Sequence, residues 1–203
     1  YWLQWRNISM CPNNTIGLTA NECQQMTPSD HSTREDLLDI WHAGVRAVQP
    51  GDVIPRFVRV ARGVLHIGNA EIPIERLNRI LVVGAGKAGA AMSAALEETL
   101  GGTLLDRHVD GWVNVPENGI SPLRKIHLFP ARPPGRNEPT TRAVEGTEKI
   151  LSMVGELTPA DIVIALLSGG GSALMTAPRK PLTLADKQST VQFLIRAGAP
   201  IQD

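Results

Sequence analysis

No charge of one sign dominates this sequence: 20 Lys and Arg stand against 20 Asp and Glu, a formal net charge of +0 at pH 7. Nucleic acid and anionic membranes are bound through an excess of Lys and Arg. Neither is the expected partner, which leaves a small molecule. Long apolar runs are also missing. The longest, IVIALL from Ile162 to Leu167, is far short of the roughly 18 residues of a membrane span. The N-terminus lacks the basic-then-apolar order of a secretory signal. Cysteine is scarce: Cys11 and Cys23 are the only two, with no His or Cys at ligand spacing beside them. That excludes a disulfide framework and a zinc site. Triplets at Asn7 and Asn13 fit the glycosylation pattern, but without a secretory signal they carry no weight. With 203 residues, 42% of them apolar and 20% charged, the chain is expected to be a globular, cytoplasmic protein with an ordinary core.

Residues 1–30 show neither a helical nor a strand period, so they are expected to be a disordered or non-native leader, with Met10 or Met26 as alternative starts. The regular pattern of residues 31–203 follows. Ser32 or Thr33 is the expected cap of a helix with Leu37, Leu38, Trp41, Val45 and Val48 along one face. A second helix is expected over 52–62, with Pro55 in its first turn. VLHIG and EIPI read as short edge strands around a GNA turn.

The pattern then alternates strand and helix. RILVVGAGKAGAAMSAALEETLGG is a strand, a glycine turn and a helix closed by Gly101 and Gly102. DGWVNVPENG and KIHLFPA supply two further strands. Thr140 or Thr141 caps a helix predicted to turn Ala143, Val144, Thr147, Ile150, Leu151 and Val154 inward, before the strand Ile162–Leu167. Thr183 and Asp186 open a last helix that stops at Gly198. Alternation of this kind predicts an α/β fold, a Rossmann-like, mainly parallel sheet with helices on both faces. Nothing in the sequence closes the fold after that helix. The expectation is a domain truncated before a second one.

Ligands of such sheets sit outside the carboxyl ends of the strands, where this chain places two glycine turns. Gly84, Gly86 and Gly89 match G-x-G-x-x-G, and such a turn before a helix can bind phosphate. A dinucleotide site also expects an acid about 20 residues on, at the end of the next strand. Asp106 has the spacing, yet it precedes the predicted strand instead of ending it. Lys87 weakens that reading further. A cation in a helix's first turn is opposed by the dipole unless an anion is bound beside it. The turn is not a Walker A loop, because it lacks the four-residue spacer and the hydroxyl after Lys.

SGGGS is the stronger signal. Gly169, Gly170 and Gly171 in succession cost backbone entropy and pack nothing, so close approach of a ligand is expected there. Ser168 and Ser172 flank them with hydroxyls suited to phosphate or carboxylate oxygens. No G-x-S-x-G elbow is present, which argues against a serine hydrolase. After the third strand, ARPPGRNEP offers Arg132, Arg136, Asn137 and Glu138; arginine forks there could grip a substrate carboxylate or phosphate. The five histidines read as structural or surface residues.

VVGAGKAG with its helix, and DIVIALLSGGGSALMTAP leading to LTLADKQSTVQFLIRAGAPI, resemble the N-terminal domain of the MOFRL-type glycerate 2-kinases, also named hydroxypyruvate reductases. The resemblance covers about residues 33–203. It implies ATP-dependent, Mg2+-requiring phosphorylation of D-glycerate at the 2-hydroxyl, in a cleft between this domain and a C-terminal one that completes it. On that analogy Lys87 is the catalytic residue, neutralising charge on the moving phosphoryl group, while the Ser168–Ser172 turn binds nucleotide phosphates or substrate. One stretch departs from the family. Where it usually has GHPVPDEAG, this chain has ARPPGRNEPT, with Arg132 in place of the His. No pair of acids near either turn suggests the metal ligands. Two other readings stand beside the kinase: an NAD(P)-dependent hydroxypyruvate reductase, and a non-catalytic nucleotide or sugar-phosphate binding protein.

Overall fold

The structure, a computed structural model, describes residues 28–135 and 137–199. The described residues fall into two units, divided between Val48 and Gln49. The described part of the first is one helix, α1 (Pro28–Ala47). This helix already runs at Pro28, so neither Ser32 nor Thr33 is its cap, and residues 28–30 belong to it. Cys11, Cys23, Met10, Met26 and both glycosylation triplets lie outside the described residues.

The second unit opens with α2 (Pro50–Phe57), which starts on Pro50 and carries Pro55 within it. The helix expected to reach residue 62 stops at Phe57. Val58 begins β1 (Val58–Ala61), antiparallel to β2 (Val64–Ile67), which pairs with β3 (Ala70–Pro73). The reason is a two-residue hairpin turn. Arg62 and Gly63 both adopt positive φ, 52° and 76°, the combination that matches strand twist, and it aligns Val58 with Ile67 and Val60 with Leu65.

The main sheet is parallel throughout. Its strands are β4 (Ile80–Ala85), β5 (Val109–Pro116), β6 (Ile126–Arg132) and β7 (Ile162–Leu167), in the order β6-β5-β4-β7. Between β4 and β5 lie α3 (Gly89–Leu100) and the short α4 (Gly102–His108); α5 (Thr141–Gly155) joins β6 to β7. Every residue of β4 is buried, as a central strand requires. Its alternate side chains serve two cores. Ile80 and Val82 pack with Leu96, Leu100, Val113 and Val115, whereas Leu81 and Val83 pack with Ile150 and Met153. Helices therefore cover both faces, and each such aliphatic side chain contributes about 1.5–3 kcal/mol by burial.

Thr140 caps α5, its hydroxyl accepting from the Ala143 N–H at 3.1 Å. The buried face of that helix is Ala143, Gly146, Thr147, Ile150 and Met153. Val144 is only half-buried, and Leu151 and Val154, expected inside, are 57% and 36% exposed. Close approach at Gly146 sets this rotation: a Cβ there would strike the Asn114 side chain and come within 2.7 Å of Phe129 Cδ1. A four-residue helical turn, α6 (Gly171–Leu174), follows β7, and α7 (Leu184–Arg196) begins with the complete Thr183–Asp186 capping box. Among the described residues no helix is long and apolar enough to cross a membrane.

Candidate functional site

From β4 the chain steps outward to β5 and β6, then returns to lay β7 on the other side of β4. The direction of winding thus reverses between β4 and β7, the place where open parallel sheets bind ligands. Both glycine turns leave the sheet there. Lys87 N–H donates to the Gly169 carbonyl at 3.0 Å, Ala88 N–H to Ser168 Oγ at 3.0 Å, and Ser168 N–H to the Ala85 carbonyl at 3.2 Å.

Packing accounts for the glycines of the first turn. A Cβ on Gly84 would strike the Leu166 carbonyl of β7, and one on Gly86, at φ 146°, would strike Ser168 Oγ. On Gly89 it would lie 2.9 Å from Val115 Cγ1 and 3.0 Å from Val113 Cγ1. The N–H groups are engaged as well. Gly86 donates to the Asn114 carbonyl at 3.2 Å and Gly89 to the Gly86 carbonyl at 3.1 Å. Residues 86–89 therefore all donate within the protein. Lys87 is not in the helix's first turn as expected. It precedes Ala88, the N-cap of α3, and is exposed, with no ion pair to a described residue.

The second turn is open. A Cβ on Gly169 would meet nothing within 4 Å, and the N–H groups of Gly169 and Gly170 donate to no described residue. Gly170 has φ 87°; the position of a Cβ there lies 3.6 Å from Lys87 Cε and 3.7 Å from Arg132 Nη2. The Lys87 side chain, from the turn after β4, and the Arg132 fork, at the end of β6, thus both lie against one glycine. Ser168 is half-buried and Ser172 exposed.

Arg132 ends β6 at 2% exposure. Its Nη1 donates to Asn137 Oδ1 at 3.2 Å, its Nε is buried without an acceptor, and no described carboxylate pairs with it. Glu138 faces elsewhere, its carboxylate accepting from Gln192 Nε2 on α7 at 3.5 Å. Arg136 lies outside the described residues. Asp106 stands in α4, held by Arg124 Nη2 at 2.7 and 2.9 Å. Among the described residues no three His, Cys, Asp or Glu side chains are grouped to hold a metal ion.

Asn114 escaped the sequence reading. It is fully buried near the end of β5, donates from Nδ2 to the Leu174 carbonyl at 2.9 Å and accepts from Trp112 Nε1 at 3.1 Å. With its own carbonyl on Gly86 N–H, it ties β5 to the first turn and to the end of α6. A lone amide inside the apolar run WVNV was the available signal.

Residues 36–203 match the family described as Domain of unknown function (DUF4147). A protein of Agrobacterium vitis provisionally named hydroxypyruvate reductase is 34% identical over 88% of this chain and 36% of its own length. A glycerate kinase of Danio rerio is 32% identical over 81% of this chain and 34% of its own. The solved structure of a Pyrococcus horikoshii OT3 protein shares the fold at a TM-score of 0.70 and 27% identity, over 84% of this chain and 36% of that one. The chain spans about a third of the length of the curated relatives it matches. By the extent of the match, this chain belongs to the DUF4147 family, the MOFRL N-terminal domain, with relatives named glycerate kinase and hydroxypyruvate reductase.

Proposed function

We propose that this chain is the N-terminal part of a cytoplasmic, ATP- and Mg2+-dependent kinase that phosphorylates D-glycerate to 2-phosphoglycerate, and that it needs a C-terminal domain for turnover. One observation carries the reading: Lys87 and Arg132 converge on Gly170, beside two unengaged N–H groups and without a paired carboxylate. Cations and dipoles fixed before the reaction stabilise a phosphoryl group whose oxygens gain charge in transfer. Lys87, flexible and exposed, balances that charge. Gly169 and Gly170 offer N–H donors, with the Ser168 and Ser172 hydroxyls beside them. Gly84, Gly86, Gly89 and Gly171 bring the strands close enough to build the seat. Among the described residues no three His, Cys, Asp or Glu side chains group to hold a metal ion, and no step is assigned to the metal here.

A reductase would need an acid on the ribose, and the Asp106 carboxylate is held by Arg124 instead. The test is ADP release by the complete gene product with D-glycerate, ATP and Mg2+, beside a Lys87→Ala variant. Glycerate-dependent turnover that falls at least ~100-fold without Lys87, the scale of one transition-state charge contact, supports the proposal. Absence of turnover in the native protein overturns it, and NADH oxidation with hydroxypyruvate then tests the reductase.

A further inference from the structure

Of the two buried charged side chains among the described residues, Glu97 and Arg132, the charge on Arg132 is the less compensated. Enclosing a guanidinium without a carboxylate is costly, which makes such a group beside an open turn a candidate for binding an anion. Arg132 is 2% exposed, has one hydrogen bond, to an amide oxygen, and leaves Nε with none. Nη2 has no bond to any described residue and is the atom that reaches Gly170.

Two cations at one glycine divide their labour by stiffness. Lys87 is exposed, on a flexible stem, and can follow a group that moves from donor to acceptor. Arg132 is held by burial and by Asn137, and a rigid planar fork suits a planar anion kept in one pose. Resting on the kinase reading above, we infer that Arg132 is the specificity residue for the acceptor: it seats the acceptor's carboxylate at Nη2, so the enzyme takes 2-hydroxy acids and rejects the corresponding neutral alcohols. Asn137 is a positioning residue that keeps the fork aimed.

The experiment uses the complete gene product with Arg132→Gln, and Asn137→Ala as an exposed-site variant that leaves the buried cation in place. Arg132→Gln is expected to raise KM for D-glycerate by about 10- to 100-fold, the loss of one charge-assisted contact, with KM for ATP within about twofold. Asn137→Ala moves KM for glycerate the same way by less. Activity on glycerol, which lacks the carboxylate, is poor in the native protein and does not fall further in Arg132→Gln. A rise in KM for ATP instead assigns Arg132 to the nucleotide and overturns the inference, as does turnover with both KM values unchanged. Calorimetric titration of D-glycerate without nucleotide reads Arg132 even where turnover is absent. Binding to the native protein that is lost in Arg132→Gln supports the assignment; equal binding in both, or none to the native protein, overturns it. Should Arg132→Gln fail to fold, the direction of the Asn137→Ala shift decides.

Discussion

Two glycine turns lie side by side at the carboxyl edge of the sheet, and they are opposites. In the turn after β4, glycine is required because neighbouring atoms leave no room, and the N–H groups of residues 86–89 are bonded inside the protein. In the turn after β7, Gly169 faces open space and two N–H groups have no described acceptor. The G-x-G-x-x-G match is therefore chiefly a packing signature, and the plainer SGGGS turn holds the unused donors. Glycine content alone does not separate a turn that is filled from one that waits for a ligand; a census of its donors does.

Substitution separates the turns most sharply. Gly86→Ala places a methyl on Ser168 in a backbone conformation few side chains adopt, and the expected cost is about 3 kcal/mol or more. Gly84→Ala pushes against the β7 backbone with a similar result. Gly170→Ala, with φ 87° but no close atom, costs about 1–2 kcal/mol. Gly169→Ala stays within about 0.5 kcal/mol of the native protein. Urea melts of the four variants rank them; equal losses at Gly86 and Gly169 would erase the distinction.

A second contrast pairs a structural anion with the cation proposed to act on the phosphoryl group. Glu97 on α3 is 7% exposed and accepts from the N–H groups of Arg124, Lys125 and Ile126 at 2.8, 2.7 and 2.8 Å. It thereby fixes the start of β6, the strand that ends in Arg132. Glu97→Gln turns an amide donor toward N–H groups and is expected to cost about 2 kcal/mol. Lys87→Ala touches no such partner and should melt within about 0.5 kcal/mol of native, while turnover collapses. A Lys87→Ala variant that unfolds with its activity would make the lysine structural.

What the sequence made legible follows from range. The strand–turn–helix units, the Thr140 cap and the Thr183–Asp186 box are local patterns, and all are present. Errors arose where a partner decides. Val58–Ala61 reads as the end of a helix until β2 pairs with it. Val154 outranks Met153 by proximity to the expected stripe, yet the Asn114–Gly146 contact turns α5 the other way. The site divided in the same manner. Lys87, the glycines and Arg132 were nameable from spacing, whereas Asn114 as the tie between the first turn and α6, and the burial of Arg132, arise only when segments 15 or more residues apart in sequence meet.

The smallest expected effect asks whether the open turn depends on the frame that carries it. Asp161, just before β7, has its carboxyl held below the usual value chiefly by the Thr158 N–H, with the Asn78 amide and Thr158 hydroxyl adding to this against partial desolvation. Asp186 is lowered by the Thr183 hydroxyl and N–H. A depressed folded-state pKa means that the unfolded chain binds protons first on acidification. The stability these groups contribute is therefore present above about pH 4, the ordinary carboxylate value, and is lost as pH falls through their lower folded values. Native Tm should fall across that window. Asp161→Asn and Asp186→Asn should melt lower than native at neutral pH and converge on it in acid. Neither carboxylate bonds to a residue of either turn, so acceptor binding between pH 6 and 5 should stay flat. Acceptor affinity that fell in Asp161→Asn at neutral pH would mean the open turn holds its shape only through the strand beneath it.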